Sequence, residues 1–244
     1  MTARDYVYVL TQQLLPLYQH PVTANENSWW IVEVITGLNK TQLLLAQNFG
    51  LTKDQEQKID LWLHQLLHEK KPLQYIIGIV PFLSLSMQIS PPVLIPRPET
   101  EAWCALLIQR LGATQQKQTR FLELCTGSGC IALAVANAFP ESLVDAVDIS
   151  SDAVQCAQKN ARYNDISNVR FMKADLYQGI SPDHQYTIII ANAPYISEDE
   201  WKSLDQHVTL WEDYHALVAP HNGLAIIQRI IADAPHYAST GAKL

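Results

Sequence analysis

Between residues 121 and 191, short apolar runs alternate with helix-patterned segments, and that alternation constrains the fold more than any other feature. Phe121 to Leu124, Leu143 to Ile149, Val169 to Ala174 and Thr187 to Ala191 read as strands, with helices over Ile131 to Ala138 and Ala153 to Asn160. The strands are near-continuous apolar runs, the pattern of parallel strands covered by helices on both faces. Such alternation predicts an α/β fold built on a doubly wound, mostly parallel sheet.

The preceding sequence follows other periods. Helices are expected over Tyr6 to Leu17, Trp29 to Ile35 and Thr41 to Asn48. Thr52-Lys53-Asp54-Gln55 is a capping-box signature ahead of Ile59, Trp62, Leu63, Leu66 and Leu67, which share one helical face. His64 and His68 have the spacing of a helical metal pair, but they lie opposite that stripe. Gln65 also stands where a zinc-protease motif needs Glu, so a solvated face is expected and no metal site.

From residue 82 the period becomes two. Leu83, Leu85, Met87 and Ile89 alternate with Ser84, Ser86, Gln88 and Ser90, a half-buried strand. Gly78 and Pro81 suggest the turn of a hairpin whose first strand is Tyr75 to Ile77. PPVLIPRPETE (91–101) follows, and its prolines predict a stiff, irregular crossing. A helix is expected from about Thr100 to Leu111, then a connector with Gln115-Gln116-Lys117-Gln118. The expected organisation is a helical domain over 1–72, a hairpin and proline-rich connector over 73–99, and the α/β domain over 100–244.

With 244 residues, 48% hydrophobic and 17% charged, the chain can hold one large domain or a small one ahead of a larger one. No apolar run approaches the ~18 residues of a spanning helix, so no membrane association is expected. Asp5 and the lack of a small-residue cleavage site argue against a signal peptide. Cys104, Cys125, Cys130 and Cys156 lack zinc-like pairing and read as reduced thiols of a cytoplasmic protein. A net charge of −7 without a Lys/Arg block argues against a nucleic-acid partner.

The chemistry begins at ELCTGSGC (123–130). A strand, then Gly127-x-Gly129, then a helix aims backbone N–H groups at a ligand. The dinucleotide fingerprint is incomplete, because Cys125 stands where its first glycine is expected. Asp148, 19 residues past Gly129 at the end of the next strand, is placed to accept from ribose hydroxyls. Asp175, at the end of the third strand, is placed to reach an adenine amino group. These features fit an adenosine cofactor; without a second glycine-rich site or a phosphate-binding Lys, a nucleoside triphosphate is disfavoured.

Asn192-Ala193-Pro194-Tyr195 stands at the end of the fourth strand, beside the expected switch point of the sheet. A planar amide nitrogen is a poor nucleophile, so an enzyme that methylates one must hold its NH₂ with acceptors and aim the lone pair in line. The Asn192 side-chain oxygen and the carbonyl of residue 193 supply two acceptors, and the Tyr195 ring can stack on the flat group. Positioning and electrostatics carry such a reaction without a general base. This chemistry selects S-adenosylmethionine, with S-adenosylhomocysteine as product.

The residues together resemble the HemK/PrmC family, peptide chain release factor glutamine methyltransferases with a Rossmann-like, class I SAM-dependent fold. KPLQYIIG (71–78), VLIPRPETE (93–101), CTGSGCIALA (125–134), VDAVDIS (144–150), NAPYI (192–196) and ALVAPHNGL (216–224) stand in family order, and the resemblance spans nearly the whole chain. It implies methylation of the glutamine in the Gly-Gly-Gln motif of class 1 release factors, a step in translation termination, by a protein expected to be monomeric. Cys125, Thr126, Gly127, Ser128 and Gly129 would cradle the methionine and ribose of the cofactor, with Asp148 on the ribose and Asp175 and Leu176 bordering the adenine. Asn192, which also borders the cofactor, the carbonyl of Ala193, Pro194 and Tyr195 would hold the target amide. Arg97, Glu99 and Glu101 would brace the substrate side, and the N-terminal helices would dock the release factor.

The chain departs from the family pattern at four places. Ala193 replaces the first proline of Asn-Pro-Pro-Tyr, which removes a φ restraint worth ~0.4–1 kcal/mol and predicts slower chemistry. Glu123 replaces an Asp, and its extra methylene redirects a contact toward the turn or the cofactor. Glu212-Asp213 stands where Glu-Pro is usual. TGAKL (240–244) falls where a fifth strand should begin, so the sheet is expected to be truncated, with 187–191 as an unpaired edge. The alternatives are a ribosomal-protein glutamine methyltransferase, an impaired module that only binds SAM or release factor, and, third, a DNA adenine methyltransferase. The last is disfavoured by the acidity and by the lack of room for a target-recognition domain.

Overall fold

The computed structural model describes residues 1–46, 49–112, 119–183 and 185–244; the glutamine-rich connector at 115–118 and residues 47 and 48 of an expected helix lie outside them. The chain divides into two compact units, Met1–Ile77 and Gly78–Leu244.

The first unit is helical: α1 (Ala3–Tyr18), α2 (Pro21–Thr36), α3 (Lys40–Leu45), α4 (Lys53–Leu67) and α5 (Leu73–Ile77). The capping box of α4 forms as its sequence predicts, with Thr52 Oγ1 accepting from Gln55 N and the Gln55 side chain accepting from Thr52 N. Ile59, Trp62 and Leu66 point into a core shared with Leu10, Leu14, Ile31 and Leu43. Burial of each such side chain stabilises by about 1.5–3 kcal/mol. His64 and His68 lie on the exposed face, their rings 5.1 Å apart. Helix α2 begins eight residues before the expected Trp29, because Pro21 at its first position needs no N–H partner and supplies a helical φ.

The hairpin differs from expectation. Residues 75–77 are helical, with Tyr75 N and Ile76 N both donating to Pro72 O (3.0 and 3.2 Å). Gly78, at φ +83°, ends α5 rather than turning a hairpin. The two strands are β1 (Ile79–Phe82) and β2 (Leu85–Gln88), antiparallel, with the turn at Leu83-Ser84. A three-residue apolar run is too short to separate helical from extended periodicity, which is why the sequence misleads here. The hairpin belongs to the second unit, so the division falls after Ile77, not at residue 72.

The rest of that unit is wound as α6 (Pro98–Gly112), β3 (Arg120–Leu124), α7 (Cys130–Ala138), β4 (Leu143–Asp148), α8 (Ser151–Tyr163), β5 (Val169–Lys173), β6 (Tyr186–Ala191), α9 (Glu198–Trp201), α10 (Gln206–Thr209), α11 (Tyr214–Leu217), α12 (Ala225–Asp233) and β7 (Ala238–Lys243). The sheet runs β5-β4-β3-β6-β7, all pairs parallel, so its order reverses between β3 and β6. Leu122 and Leu124 face a core with Tyr177, Ile189 and Ile230 of α12, while Phe121 stacks on Phe139. Near the strand starts, buried Asp145 accepts from Tyr186 Oη (2.7 Å), Arg170 Nε (2.9 Å) and Arg120 Nη2 (3.3 Å), which ties β3, β4, β5 and β6 together.

The expected unpaired edge is not there. Residues 238–243 pair parallel to β6, Tyr186 opposite Ala238 and Ile188 opposite Lys243 across a bulge. Tyr186 N donates to Tyr237 O (2.8 Å) and Ser239 Oγ to Tyr186 O (3.2 Å). The segment ASTGAK carries no apolar run, but ladder bonds are made by backbone, and the β6 groups need partners whatever the neighbour's side chains.

Candidate active site

The ends of β3, β4 and β6 lie level, Leu124 opposite both Val147 and Ala191, and the functional candidates follow directly on them. After β3 the chain turns sharply: Thr126 N donates to Val147 O (3.0 Å), and Gly129 N to Thr126 O (2.9 Å). Cys125, Gly127 and Gly129 all have positive φ (+59°, +56° and +81°). Cys125 thus adopts the left-handed backbone that the missing first glycine would supply, at a strain of roughly 1–2 kcal/mol. A Cβ at Gly129 would stand 2.8 Å from Ala157 Cβ, so glycine is required for the turn to pack on α8; one at Gly127 would meet nothing within 4 Å, so that side is open. Burial, then the carboxylates of Asp148, Glu123 and Asp175, push the Cys125 thiol up to about 12, which keeps it neutral.

Glu123 lies beneath this turn, 1% exposed. It accepts from the Thr126 hydroxyl and from Ala132 N (3.1 Å), so its extra methylene is spent on the turn and α7. Thr126 and Ser128 are likewise buried, and Ser128 O accepts from Asn160 Nδ2 (3.0 Å). Burial pushes the Glu123 carboxyl up from 4.5 to about 8, against the pull of those two hydrogen bonds. An acid whose folded value is raised keeps its proton in the native state while the unfolded chain ionises. Its contribution to stability is therefore full below about 4.5 and is lost progressively up to about 8. Glu123→Gln, which cannot ionise, is expected to lose less stability than wild type between pH 5 and pH 8 in urea titrations. Equal losses in the two proteins would contradict the assignment.

Asp148 joins the turn to the next helix. Its Oδ2 accepts from Gly127 N (2.8 Å) and its Oδ1 from Ser150 N (2.9 Å), while Ser150, not Asp148, caps α8. Burial raises its pKa and the two backbone donors oppose the rise. A carboxylate has about four acceptor positions, so further donors can be received. Asp175, two residues past β5, accepts from Arg229 Nη2 on both oxygens (3.0 Å each). Leu176, at φ +52°, is buried in the core.

Asn192 donates from Nδ2 to Thr100 Oγ1 (3.3 Å). Ala193 is buried in the core, Pro194 half-buried, and the Tyr195 side chain stands out, 62% exposed. The backbone here is propped from one side: Tyr195 N and Ile196 N donate to Leu217 O (3.1 and 2.9 Å), and Ala219 N to Ile196 O (3.0 Å).

The PRPETE residues face inward more than expected. Arg97 Nη2 pairs with Glu212 Oε2 at 2.5 Å, and the Glu212 side chain is 1% exposed. Glu101 accepts from Leu83 N in the hairpin turn (2.7 Å), and of the three charged residues only Glu99 is exposed. Asp213, in place of the family's proline, donates from its N–H to Pro92 O (2.8 Å), a bond proline cannot make, and its side chain caps α11. Sequence reasoning missed Thr100 and Arg229. Thr100 lies inside the PRPETE motif; nothing local marks Arg229, 54 residues from its partner.

The glycine turn is open on the Gly127 side and bonded to the Asp148 carboxylate, while Asp175 is paired with Arg229; an acid at the turn suits a cationic adenosine cofactor better than a polyphosphate. Among the described residues no helix is long and apolar enough to cross a membrane.

Comparison with known proteins gives two family models, the PrmC N-terminal domain over residues 18–78 and the methyltransferase small domain over 99–210. A release factor glutamine methyltransferase of Thermodesulfovibrio yellowstonii is 36% identical over 200 residues, 82% of this chain and 71% of that one. Those of Streptococcus pneumoniae and Escherichia coli are 34% and 35% identical, over 90% and 88% of this chain and 76% and 75% of theirs.

Proposed function

This chain belongs to the release factor glutamine methyltransferase family, and we propose that it methylates the side-chain nitrogen of the glutamine in the Gly-Gly-Gln motif of class 1 release factors. Its α/β unit has the class I SAM-dependent methyltransferase fold. The observation that carries the reading is the convergence of the glycine turn, Asp148 and Asn192 on the level ends of three adjacent parallel strands. When bound, S-adenosylmethionine supplies an electrophilic methyl group and is left as S-adenosylhomocysteine.

The residues of the chain do the rest. The 125–129 backbone and Asp148 hold the cofactor's ribose and methionine, with Asp175 at the adenine. Asn192 Oδ1 and the carbonyl of Ala193 accept hydrogen bonds from the target NH₂, and the exposed Tyr195 ring lies on its flat face. The nitrogen lone pair is thereby aimed in line, and its proton passes to solvent after transfer; no general base is needed. Arg97 and Glu101 act as internal braces, which leaves Glu99 as the acidic group of the motif offered to the substrate.

Two outcomes follow for cofactor and rate. Asp148→Ala removes hydrogen bonds to a charged group, worth about 1.5–3 kcal/mol each, so calorimetry should show SAM binding weakened roughly 10- to 100-fold. Unchanged affinity would count against the ribose role. Ala193→Pro restores the missing φ restraint and should raise turnover; turnover equal to wild type would contradict it.

The substrate is tested by incubating the protein with labelled SAM and, separately, a class 1 release factor, ribosomal protein or DNA. Label is expected in the release factor alone. Label in ribosomal protein or DNA alone would replace this reading, and SAM binding without transfer would favour the impaired module.

A further inference from the structure

We propose that Thr100 is a positioning residue that fixes where the Asn192 amide stands. The inference rests on the reading of residues 192–195 as the segment that holds the target amide. An asparagine amide is nearly symmetric in shape, yet a half-turn exchanges an acceptor for a two-proton donor. A donor presented to the target NH₂ would repel it, so Oδ1 must be held where the substrate nitrogen can reach it.

Thr100 Oγ1 accepts from Asn192 Nδ2 at 3.3 Å, which ties the amide to α6 and leaves Oδ1 for the substrate. The acceptor is held in place. Thr100 is 6% exposed, and its β-branched side chain has few rotamers in the first turn of α6. On either side of it, Arg97 is tied to Glu212 and Glu101 to the hairpin turn. The PRPETE segment thus works as a clamp whose inner tooth touches the catalytic asparagine across 92 residues of sequence.

The test compares Thr100→Val, which keeps the shape without the acceptor, with Thr100→Ser, which keeps the acceptor. Loss of one hydrogen bond that orients a reacting partner should lower kcat roughly tenfold or more in Thr100→Val, with SAM affinity and the KM for release factor near wild type. Thr100→Ser should stay within about threefold of wild type by the same reasoning. Wild-type turnover in Thr100→Val, an equal fall in Thr100→Ser, or a fall matched by lost SAM affinity would overturn the proposal. The side-chain ¹H–¹⁵N signals of Asn192 give a readout that does not depend on the substrate. They should move in Thr100→Val and not in Thr100→Ser; signals unmoved by valine would sink the positioning role even if release factor proved not to be the substrate.

Discussion

Adding one methyl group at Gly223 is expected to remove most of the activity and several kcal/mol of stability. A Cβ there would lie 1.9 Å from the Tyr195 carbonyl oxygen and 2.6 Å from its carbon, so the backbone itself must move. The position also has φ +83°, the third of three consecutive left-handed residues after His221 (+56°) and Asn222 (+55°). Alanine would add a conformational cost of about 1–2 kcal/mol before any clash is relieved. Relief means pushing Tyr195 away from its bond to Leu217 and, with it, the Asn192–Tyr195 segment. A displacement of about 1 Å in a positioning group can lower turnover on the order of 100-fold. Urea unfolding and steady-state turnover of Gly223→Ala measure the two effects; wild-type values for both would show that this close approach is not needed.

Asn192→Ala is expected to lower kcat by about 10²–10³-fold, the usual loss when one preorganised polar contact to the reacting group is removed. The fold should survive, because Asn192 is half-buried beyond the end of β6 and, among the described residues, its side chain bonds to Thr100 alone. Release of Thr100 Oγ1 should lower stability by no more than ~1 kcal/mol. Loss of turnover in a protein with a wild-type unfolding midpoint is the expected pair of results. Turnover within threefold of wild type would remove Asn192 from the chemistry, whichever amide is methylated.

Much of this was legible in the sequence, for identifiable reasons. The parallel strands are apolar on both faces, so their runs are continuous, and β3, β4 and β6 stand within a residue or so of where the pattern puts them. The residues expected to bind and react stand at or near the ends of β3, β4, β5 and β6 because a strand end is a local feature that the run itself announces. What was not legible depends on partners far along the chain or on backbone alone. Residues 238–243 form β7 with no apolar pattern, because β6 supplies the pairing. Residues 75–77 are helical because of Pro72 and Gly78, not because of their own period. Arg97 and Glu101 look like surface charges in a proline-rich stretch, and only the fold shows that Glu212 and Leu83 hold them inward. Thr100 was overlooked because its hydroxyl has meaning only once Asn192 is beside it.

The most direct measurement is the position of the transferred methyl group. A class 1 release factor incubated with the protein and S-adenosylmethionine would be digested and sequenced by mass spectrometry, beside the same factor with its Gly-Gly-Gln glutamine replaced by alanine. The account predicts one added methyl on that glutamine side chain, absent from the alanine factor and absent when the enzyme carries Asn192→Ala. A methyl group on any other residue, or equal methylation of the alanine factor, would contradict it.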